Sequence, residues 1–600
     1  MVSWEGAGAF LDLEEVPLTD RGSRLLVFKN DDGGAGRPGA GRAGLRVAGA
    51  VYERSPDTST HLHRIAVFDG AGRPLEATAV VPEGITFGDS AASLVLVGSD
   101  ALSIGALAEP VVVLLEPFGT SADGRPVSEV DGAGISWRAT DGTVPAADPV
   151  SGDTGPAGPG AVRLLLPPGG SLLLRIGGAV DQAPEPGGHA ALLAAAASRW
   201  TDWFARLPAV RGTDLELVRY AWWILASNIV QLDTHPGIDA VVPSKQGYVA
   251  AWQWDSYFIS IGLRHGDAEL AADQLRLFFA EQTPDGGLPD VVHDHGTLAC
   301  VADMPPGDVA TLARIHGADS PMVTQADMPI TKPPLAAWAA RAVDAVAGTS
   351  LQSELKDGLD RLHEWWFARP TPDGLPGYEH VYSSGLDDSP LFDDGGPVFA
   401  PDLPSYLVVA LDAMADLAED AGDGATAARH RALADTTAAQ LVEKRFDAEL
   451  GRFVALTPAG RRTTVTPFGL MPLLTGRLPE PVKAALAARL ADPSCLSAPF
   501  PLPTVGLSEP EFNQDRMWRG PVWLNVNWLI VQGLLRSGLE AEAAALAERT
   551  VAMVVASGGI HEYWNPLTGA RAAGATTGFG WSAALFLDLA VWLAATDAGR

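Results

Sequence analysis

Leu215-Glu216-Leu217-Val218-Arg219-Tyr220-Ala221-Trp222-Trp223-Ile224-Leu225-Ala226-Ser227-Asn228-Ile229-Val230-Gln231-Leu232 is the stretch on which the fold turns. Leu215, Val218, Trp222, Leu225, Ile229 and Leu232 recur at steps of three and four, the spacing of one face of an α-helix. Thr213, with Glu216 three residues on, fits a capping box at its start. Before residue 190 the pattern is different. Short apolar runs, Leu45–Tyr52, Arg64–Phe68, Leu94–Val97, Pro110–Leu115, Arg163–Leu166 and Ser171–Ile176, are divided by clusters of Gly, Pro, Asp and Ser. Asp69-Gly70 and Asp141-Gly142 are turn dipeptides. Strands at this spacing predict a sandwich. Pro145–Pro159 reads as a long surface loop and Asp181–Gly188 as a linker.

Beyond the opening helix the helical period continues. Stretches 190–206, 254–264, 267–282, 331–347, 351–367, 403–420, 424–445, 479–491, 520–536, 538–556 and 577–597 all fit it. Long Gly/Pro/aromatic loops alternate with tight ones such as Gly348-Thr349 and Gly538. About a dozen helices in hairpins, with the long loops on one face, make an α/α toroid. The expected fold is therefore an α+β multidomain chain. Residues 1–190 form a β-sandwich with its linker, and 191–600 a six-hairpin (α/α)6 barrel that carries the catalysis.

Composition narrows the class. Six hundred residues exceed one ordinary core, since single cores stop growing near ~250–300 residues. A net charge of −31 repels nucleic acid and anionic membrane, so neither is an expected partner. Two cysteines, Cys300 and Cys495, do not make a disulfide framework. Met1–Glu14 lacks the basic and apolar regions of a signal peptide, and no apolar run reaches ~20 residues. A soluble, cytoplasmic protein is expected.

The chemistry-bearing residues are carboxylates set among rings. Asp255 lies in Trp252-Gln253-Trp254-Asp255-Ser256-Tyr257. Asp387 lies in Ser384-Gly385-Leu386-Asp387-Asp388-Ser389-Pro390, and Glu562 in His561-Glu562-Tyr563-Trp564-Asn565-Pro566. Rings stack on the apolar faces of sugars, and two carboxyls with separated pKa values perform hydrolysis. A solvated turn is the competing reading of Asp387-Asp388, because Asp stabilises turns locally. Tyr248, Trp252 and Asp255, spaced four and three apart, are expected on one side of a helical turn, either as a sugar site or as a core corner. Arg516–Trp528 opens a helix with Pro521 in its first turn. Arg519 is placed there to hold a carboxylate, either the substrate's or an active-site Glu. His293-Asp294-His295 has no companion cluster at ligand spacing, so no metal is expected. No phosphate loop or Gly-x-Ser-x-Gly elbow is present, and no cofactor is expected.

The ordered set resembles glycoside hydrolase family 63 and its mannosylglycerate and glucosylglycerate hydrolase relatives, with trehalases more distant. The matching order is Tyr248-x3-Trp252-x2-Asp255, Pro333-Pro334, Ser384-Gly385-x-Asp387-x-Ser389-Pro390, Trp518-Arg519-Gly520-Pro521-x-Trp523-x-Asn525-x-Asn527, Glu562-Tyr563-x-Asn565-Pro566-x-Thr568-Gly569 and Gly578-Phe579-Gly580-Trp581-Ser582-Ala583. The resemblance implies an inverting α-glycosidase on an α/α barrel. It makes Asp387 the general acid and Glu562 the general base. It gives Tyr248, Trp252, Asp255 and Trp518 to the first sugar subsite. Trp581, Arg519 and Lys332 complete the substrate-binding candidates. Relatives often carry Gln before the Pro-Pro and Tyr before the Trp-Arg, where this chain has Lys332 and Met517. A cation at Lys332 suits an acidic aglycone or an altered hydroxyl pattern.

The reading is an exo-acting, inverting α-glycosidase on a small α-glucoside or α-mannoside. One rival is an α-glycoside phosphorylase of the same architecture, in which phosphate replaces the activated water. Dependence of turnover on inorganic phosphate separates the two. A second rival is a non-catalytic carbohydrate-binding protein, which binds sugar and releases no product.

Overall fold

The computed structural model describes residues 11–30, 44–117, 135–139, 144–145, 161–176, 188–210, 215–369, 371–493 and 495–598. Asp141-Gly142, the 145–159 loop beyond Pro145, linker residues 181–187, Thr213 of the expected cap and residues 1–10 lie outside them. The chain divides into two compact units. One comprises Met1–Leu207, Trp222–Gln231 and Ser244–Val249, and the other Pro208–Ala221, Leu232–Pro243 and Ala250–Arg600.

The first unit holds two antiparallel sheets. Its strands are β1 (Leu25–Lys29), β2 (Leu45–Gly49), β3 (Thr60–Asp69), β4 (Pro74–Leu75), β5 (Ala77–Val81), β6 (Gly84–Phe87), β7 (Ala92–Val97), β8 (Ala101–Ala106), β9 (Val111–Pro117), β10 (Ile135–Ala139), β11 (Val144–Pro145), β12 (Val162–Leu166) and β13 (Ser171–Ile176). One sheet runs β1-β2-β3-β9-β12-β11, with β4 on β3; the other runs β10-β13-β8-β7-β6-β5. Strand β9 shows why these segments are strands. Successive side chains point to opposite faces. Val111, Val113 and Leu115 join the main core, while Val112 and Leu114 join Ala66 and Phe68 on the other face. That main core takes Val47, Ile65 and Leu164 from the first sheet and Leu94, Ile104 and Leu172 from the second. Each such side chain, fully buried, contributes about 1.5–3 kcal/mol.

Helix α1 (His189–Phe204) packs on β7 and β8 through its first residue. Ser93 Oγ lies 2.7 Å from His189 Nε2, and Ser103 Oγ lies 2.9 Å from Nδ1. A Cβ on Gly105 would stand 2.3 Å from the His189 ring, so the strand needs glycine there. Burial lowers the His189 pKa to about 4, and the ring serves packing as a neutral imidazole.

Helix α2 is shorter than its spacing predicts. It spans Leu215–Ser227, and Ile229–Gln231 are extended. Its last bond runs from Asn228 N to Ile224 O, 2.9 Å. Ser and Asn are weak helix formers, and the following β-branched pair Ile229-Val230 favours a strand.

The second unit is mainly helical. It adds α3 (Gln253–Leu263), α4 (Ala268–Ala280), α5 (Pro306–His316), α6 (Pro321–Thr324), α7 (Ala336–Ala347), α8 (Leu351–Glu354), α9 (Lys356–Phe367), α10 (Asp402–Asp420), α11 (Gly424–Arg445), α12 (Glu480–Leu490), α13 (Leu524–Arg536), α14 (Glu540–Ser557) and α15 (Gly580–Ala598). Helix α15 packs on α3, α3 on α7, and α7 on α10. Helix α10 packs on the 3-10 run Pro467–Thr475, that run on α13, and α13 on α15, which closes a ring. Every residue of α3 is buried, the polar Gln253, Asp255, Ser256 and Ser260 included. Helices α4, α11 and α14 pack behind α3, α10 and α13. The 3-10 member escapes a search for helical spacing, because Pro467, Gly469 and Pro472 break it.

Two expected helix starts move, each for a local reason. Helix α7 begins at Ala336 rather than 331, because Pro333-Pro334 have no N–H to donate. Helix α13 begins at Leu524 rather than at 520, because Val522 is engaged in a backbone bridge to Trp564. Both displaced segments carry residues of the site. Among the described residues no helix is long and apolar enough to cross a membrane.

Candidate active site

The loop carrying Asp387 is built from short turns. A 3-10 turn, Val381–Ser384, ends at Gly385, whose φ is +76°. A Cβ on Gly385 would also stand 2.4 Å from the Trp254 ring, so backbone and packing both demand glycine. Ser384 Oγ donates to Val381 O (2.7 Å) and accepts from Leu386 N (3.1 Å). Ser389 N donates back to Leu386 O at 2.9 Å, which puts Asp387 and Asp388 at the tip of a tight turn.

The two neighbours do different work. Asp388 accepts from Trp518 N and from Arg516 Nε, each at 2.9 Å. Its carbonyl accepts from Arg519 Nε at 2.8 Å. Asp388 is thus an anchor, with its side chain 13% exposed, whereas that of Asp387 is 31% exposed. Burial raises the Asp387 pKa to about 6; Lys332 opposes the rise, and Asp308 and Asp388 add to it. The carboxyl is partly open, yet burial and the neighbouring acids keep its pKa raised.

Lys332 is sealed, its side chain only 4% exposed. Its Nζ donates to Tyr382 O at 2.8 Å and lies 3.3 Å from both Asp387 Oδ1 and Asp290 Oδ2. An ammonium has three donors, and these acceptors take all three. The expectation that Lys332 reads the substrate is corrected: its charge is directed at the carboxyl of Asp387. Burial lowers its pKa, but Asp290, Asp387 and Asp255 outweigh that and raise it overall. Burial also raises Asp290 to about 7 and Asp255 well above the carboxylate range; Lys332 opposes both shifts and Asp387 reinforces both. Tyr382 covers the ammonium with its ring, 5.6 Å away, and its hydroxyl bonds Asp308 on α5.

Helix α3 supplies the support. Gln253 Oε1 accepts from Lys332 N (2.6 Å) and Thr331 Oγ1 (2.9 Å), and its Nε2 donates to Tyr257 Oη at 2.8 Å. The one-face helical turn expected for Tyr248, Trp252 and Asp255 does not form. Tyr248 closes a turn with Ser244 and belongs to the first unit, Trp252 is extended, and only Asp255 is helical. The reason is local: Gly247 adopts φ +110°, and Trp252 pairs with Val291 in a small sheet.

Behind these groups stands a wall of rings. Trp518 stacks on Trp523 at 3.6 Å; Trp254 meets Trp581 edge-on at 5.5 Å and Trp518 at 6.0 Å. Trp518 and Trp581 are buried, 2% and 3% exposed, and serve as packed backing, whereas Trp252 is half-buried. Arg519 does hold a carboxylate, but not Glu562. Its fork grips Asp393, through Nη1 at 3.0 Å and through Nη2.

Glu562 lies in a buried strand-like segment. Its backbone N donates to Thr576 O at 2.8 Å, and its Oε2 accepts from Thr576 N at 3.0 Å. Next to it, Trp564 and Val522 exchange backbone bonds of 2.7 and 2.9 Å. The strip 516–523 is therefore tied to the Asp387 loop through Asp388, and to the Glu562 segment through Val522. Tyr563 senses both: burial raises its pKa, and Glu562 and Asp388 raise it further.

Asp290, Tyr382, Asp308 and Gln253 were not singled out in the sequence. Asp290 follows Gly286-Gly287-Leu288-Pro289 and Asp308 opens a short helix; neither position has a periodic or motif signal. His293-Asp294-His295 forms a turn in which His295 N donates to His293 Nδ1 at 3.2 Å. Among the described residues no three His, Cys, Asp or Glu side chains are grouped to hold a metal ion.

Comparison with known proteins meets this geometry. A mannosylglycerate hydrolase from Thermus thermophilus is 30% identical over 414 residues, which is 58% of this chain and 95% of that protein. The crystal structure of a GH63 mannosylglycerate hydrolase from the same species, in complex with Tris and D-glycerate, is 25% identical. It has a TM-score of 0.52 and covers 62% of this chain and 99% of its own. A bacterial glucoamylase complexed with acarbose shares the fold, with a TM-score of 0.53 at 11% identity over 96% of this chain and 94% of its own. The family model of the mannosylglycerate hydrolase MGH1-like glycoside hydrolase domain matches residues 248–582, more than half of the chain, which therefore belongs to this GH63-like family of glycosidases.

Proposed function

We propose that the chain is an exo-acting, inverting α-glycosidase for a small α-mannoside or α-glucoside of a carboxylated aglycone, the α-hexosylglycerates first among them. Asp387 is the general acid and Glu562 the general base. The observation that carries the reading is the Asp387 carboxyl: partly open, with its pKa raised to about 6 by burial and further by Asp308 and Asp388, so that it keeps a proton close to neutral pH. The mannosylglycerate hydrolase names of its relatives support the aglycone. The architecture we propose is a β-sandwich over 1–190 and an (α/α)6 barrel over 191–600. The ring α3–α7–α10–Pro467–Thr475–α13–α15 forms its inner layer, and the site lies at one mouth. Trp252 and Asp255 bind the terminal sugar; Trp518 and Trp581 back it.

In this mechanism Asp387 gives its proton to the glycosidic oxygen as the C1–O bond breaks. Glu562 takes a proton from the water that attacks C1 from the opposite ring face. The products are the free aglycone hydroxyl and a hexose of inverted configuration. Proton NMR of the first product decides the point: an α-hexosylglycerate must release β-hexose before mutarotation. Release of the α-anomer first, or no hydrolysis of any α-mannoside or α-glucoside, overturns the proposal.

A further inference from the structure

Asp290 stands outside the acid–base pair, yet it shares that pair's lysine. Lys332 Nζ lies 3.3 Å from Asp290 Oδ2 and 3.3 Å from Asp387 Oδ1. Its third donor is spent on Tyr382 O. Asp290 and Lys332 hang from one residue: Gln253 N donates to Asp290 O at 2.8 Å, and Gln253 Oε1 accepts from Lys332 N. The second oxygen, Asp290 Oδ1, is buried without a hydrogen-bond partner among the described residues. A carboxyl in that state is costly as an anion and favours a bound proton.

We propose that Asp290 is a positioning residue for the acid step: it shares the Lys332 ammonium, and the proton that goes with it, with Asp387, so that Asp387 stays protonated to higher pH than it would beside Lys332 alone. The inference rests on Asp387 being the general acid. The groups that face Asp387 are Lys332 from the 331–335 segment, Asp255 from α3, Asp308 from α5, Asp388 from its own loop and the Tyr382 ring. Asp290 ionises in the same range as Asp387, so the first proton lost belongs to the pair. With Asp290 made neutral, Lys332 acts on Asp387 undivided and draws its proton off at lower pH. With Lys332 removed, the proton is held to higher pH.

The test is the pH profile of kcat/KM on α-mannosylglycerate and α-glucosylglycerate. Asp290→Asn, nearly isosteric, should move the alkaline limb down by about half to one pH unit. Lys332→Met should move it up. α-Mannosyl fluoride serves as control, because fluoride leaves without needing a proton; its alkaline limb should not follow Asp290→Asn. An unmoved limb in folded Asp290→Asn overturns the inference, as does an equal shift with the fluoride. Asp387→Asn tests the underlying assignment separately: if it keeps full hexosylglycerate activity, the acid itself is wrong. Should Lys332→Met fail to fold, Asp290→Asn decides alone.

Discussion

Lys332, Asp387 and Asp388 show how far three side chains on adjoining loops differ in duty. Asp387→Asn should lower kcat by about a thousandfold or more, since in the proposed mechanism acid and base act as one unit. Asp388→Asn should be milder in kcat and should cost about 1–3 kcal/mol of stability, because it releases the amide of Trp518 and the guanidinium of Arg516. Equal losses of activity in the two variants would contradict the division of roles. Lys332 is buried between two carboxyls, so its charge bears on stability. Lys332→Gln should lower the unfolding free energy by about 3 kcal/mol, measured in urea, because it strips the charge from a buried pair. A variant as stable as the parent would refute this.

At the scale of elements, the loop before α10 is held by fit as much as by bonds. Gly385→Ala sets a methyl against the Trp254 ring at a left-handed residue. It should cost at least about 1–2 kcal/mol and depress kcat together with it. Intact activity and midpoint would mean the loop gives way freely. The sandwich-like core makes a parallel case. Leu94, in the middle strand β7, is fully enclosed by both sheets, and Leu94→Ala should cost about 2–5 kcal/mol in a denaturant titration.

For the whole molecule the dominant fact is its charge of −31. Most of this lies on the surface, where like charges repel through water and salt screens them within about 10 Å at 0.1 M. Raising sodium chloride from low to moderate concentration should therefore raise the thermal midpoint. A midpoint that falls would show that exposed ion pairs, such as those of Arg276 with Glu269 and Glu354, outweigh the repulsion.

What the sequence determined by itself was everything that repeats. Short apolar runs divided by turn clusters before residue 190, and three-and-four spacing after it, are written by the geometry of strand and helix, and they mark sheets and helices without knowledge of the fold. Asp387, Asp388 and Glu562 drew attention as candidates because carboxylates among rings and glycines stand out in any register. Tertiary structure decided what depends on non-repeating contact. Helix α2 stops at Ser227, Pro333 and Pro334 delay α7, and the bridge of Val522 to Trp564 delays α13. The ring closes through a 3-10 segment that no period reveals. It also decided the charge pattern of the site. Asp255, Asp290, Lys332 and Asp387 come from four separate segments, and only folding sets them within reach of one another, where a proton on one carboxyl depends on the next.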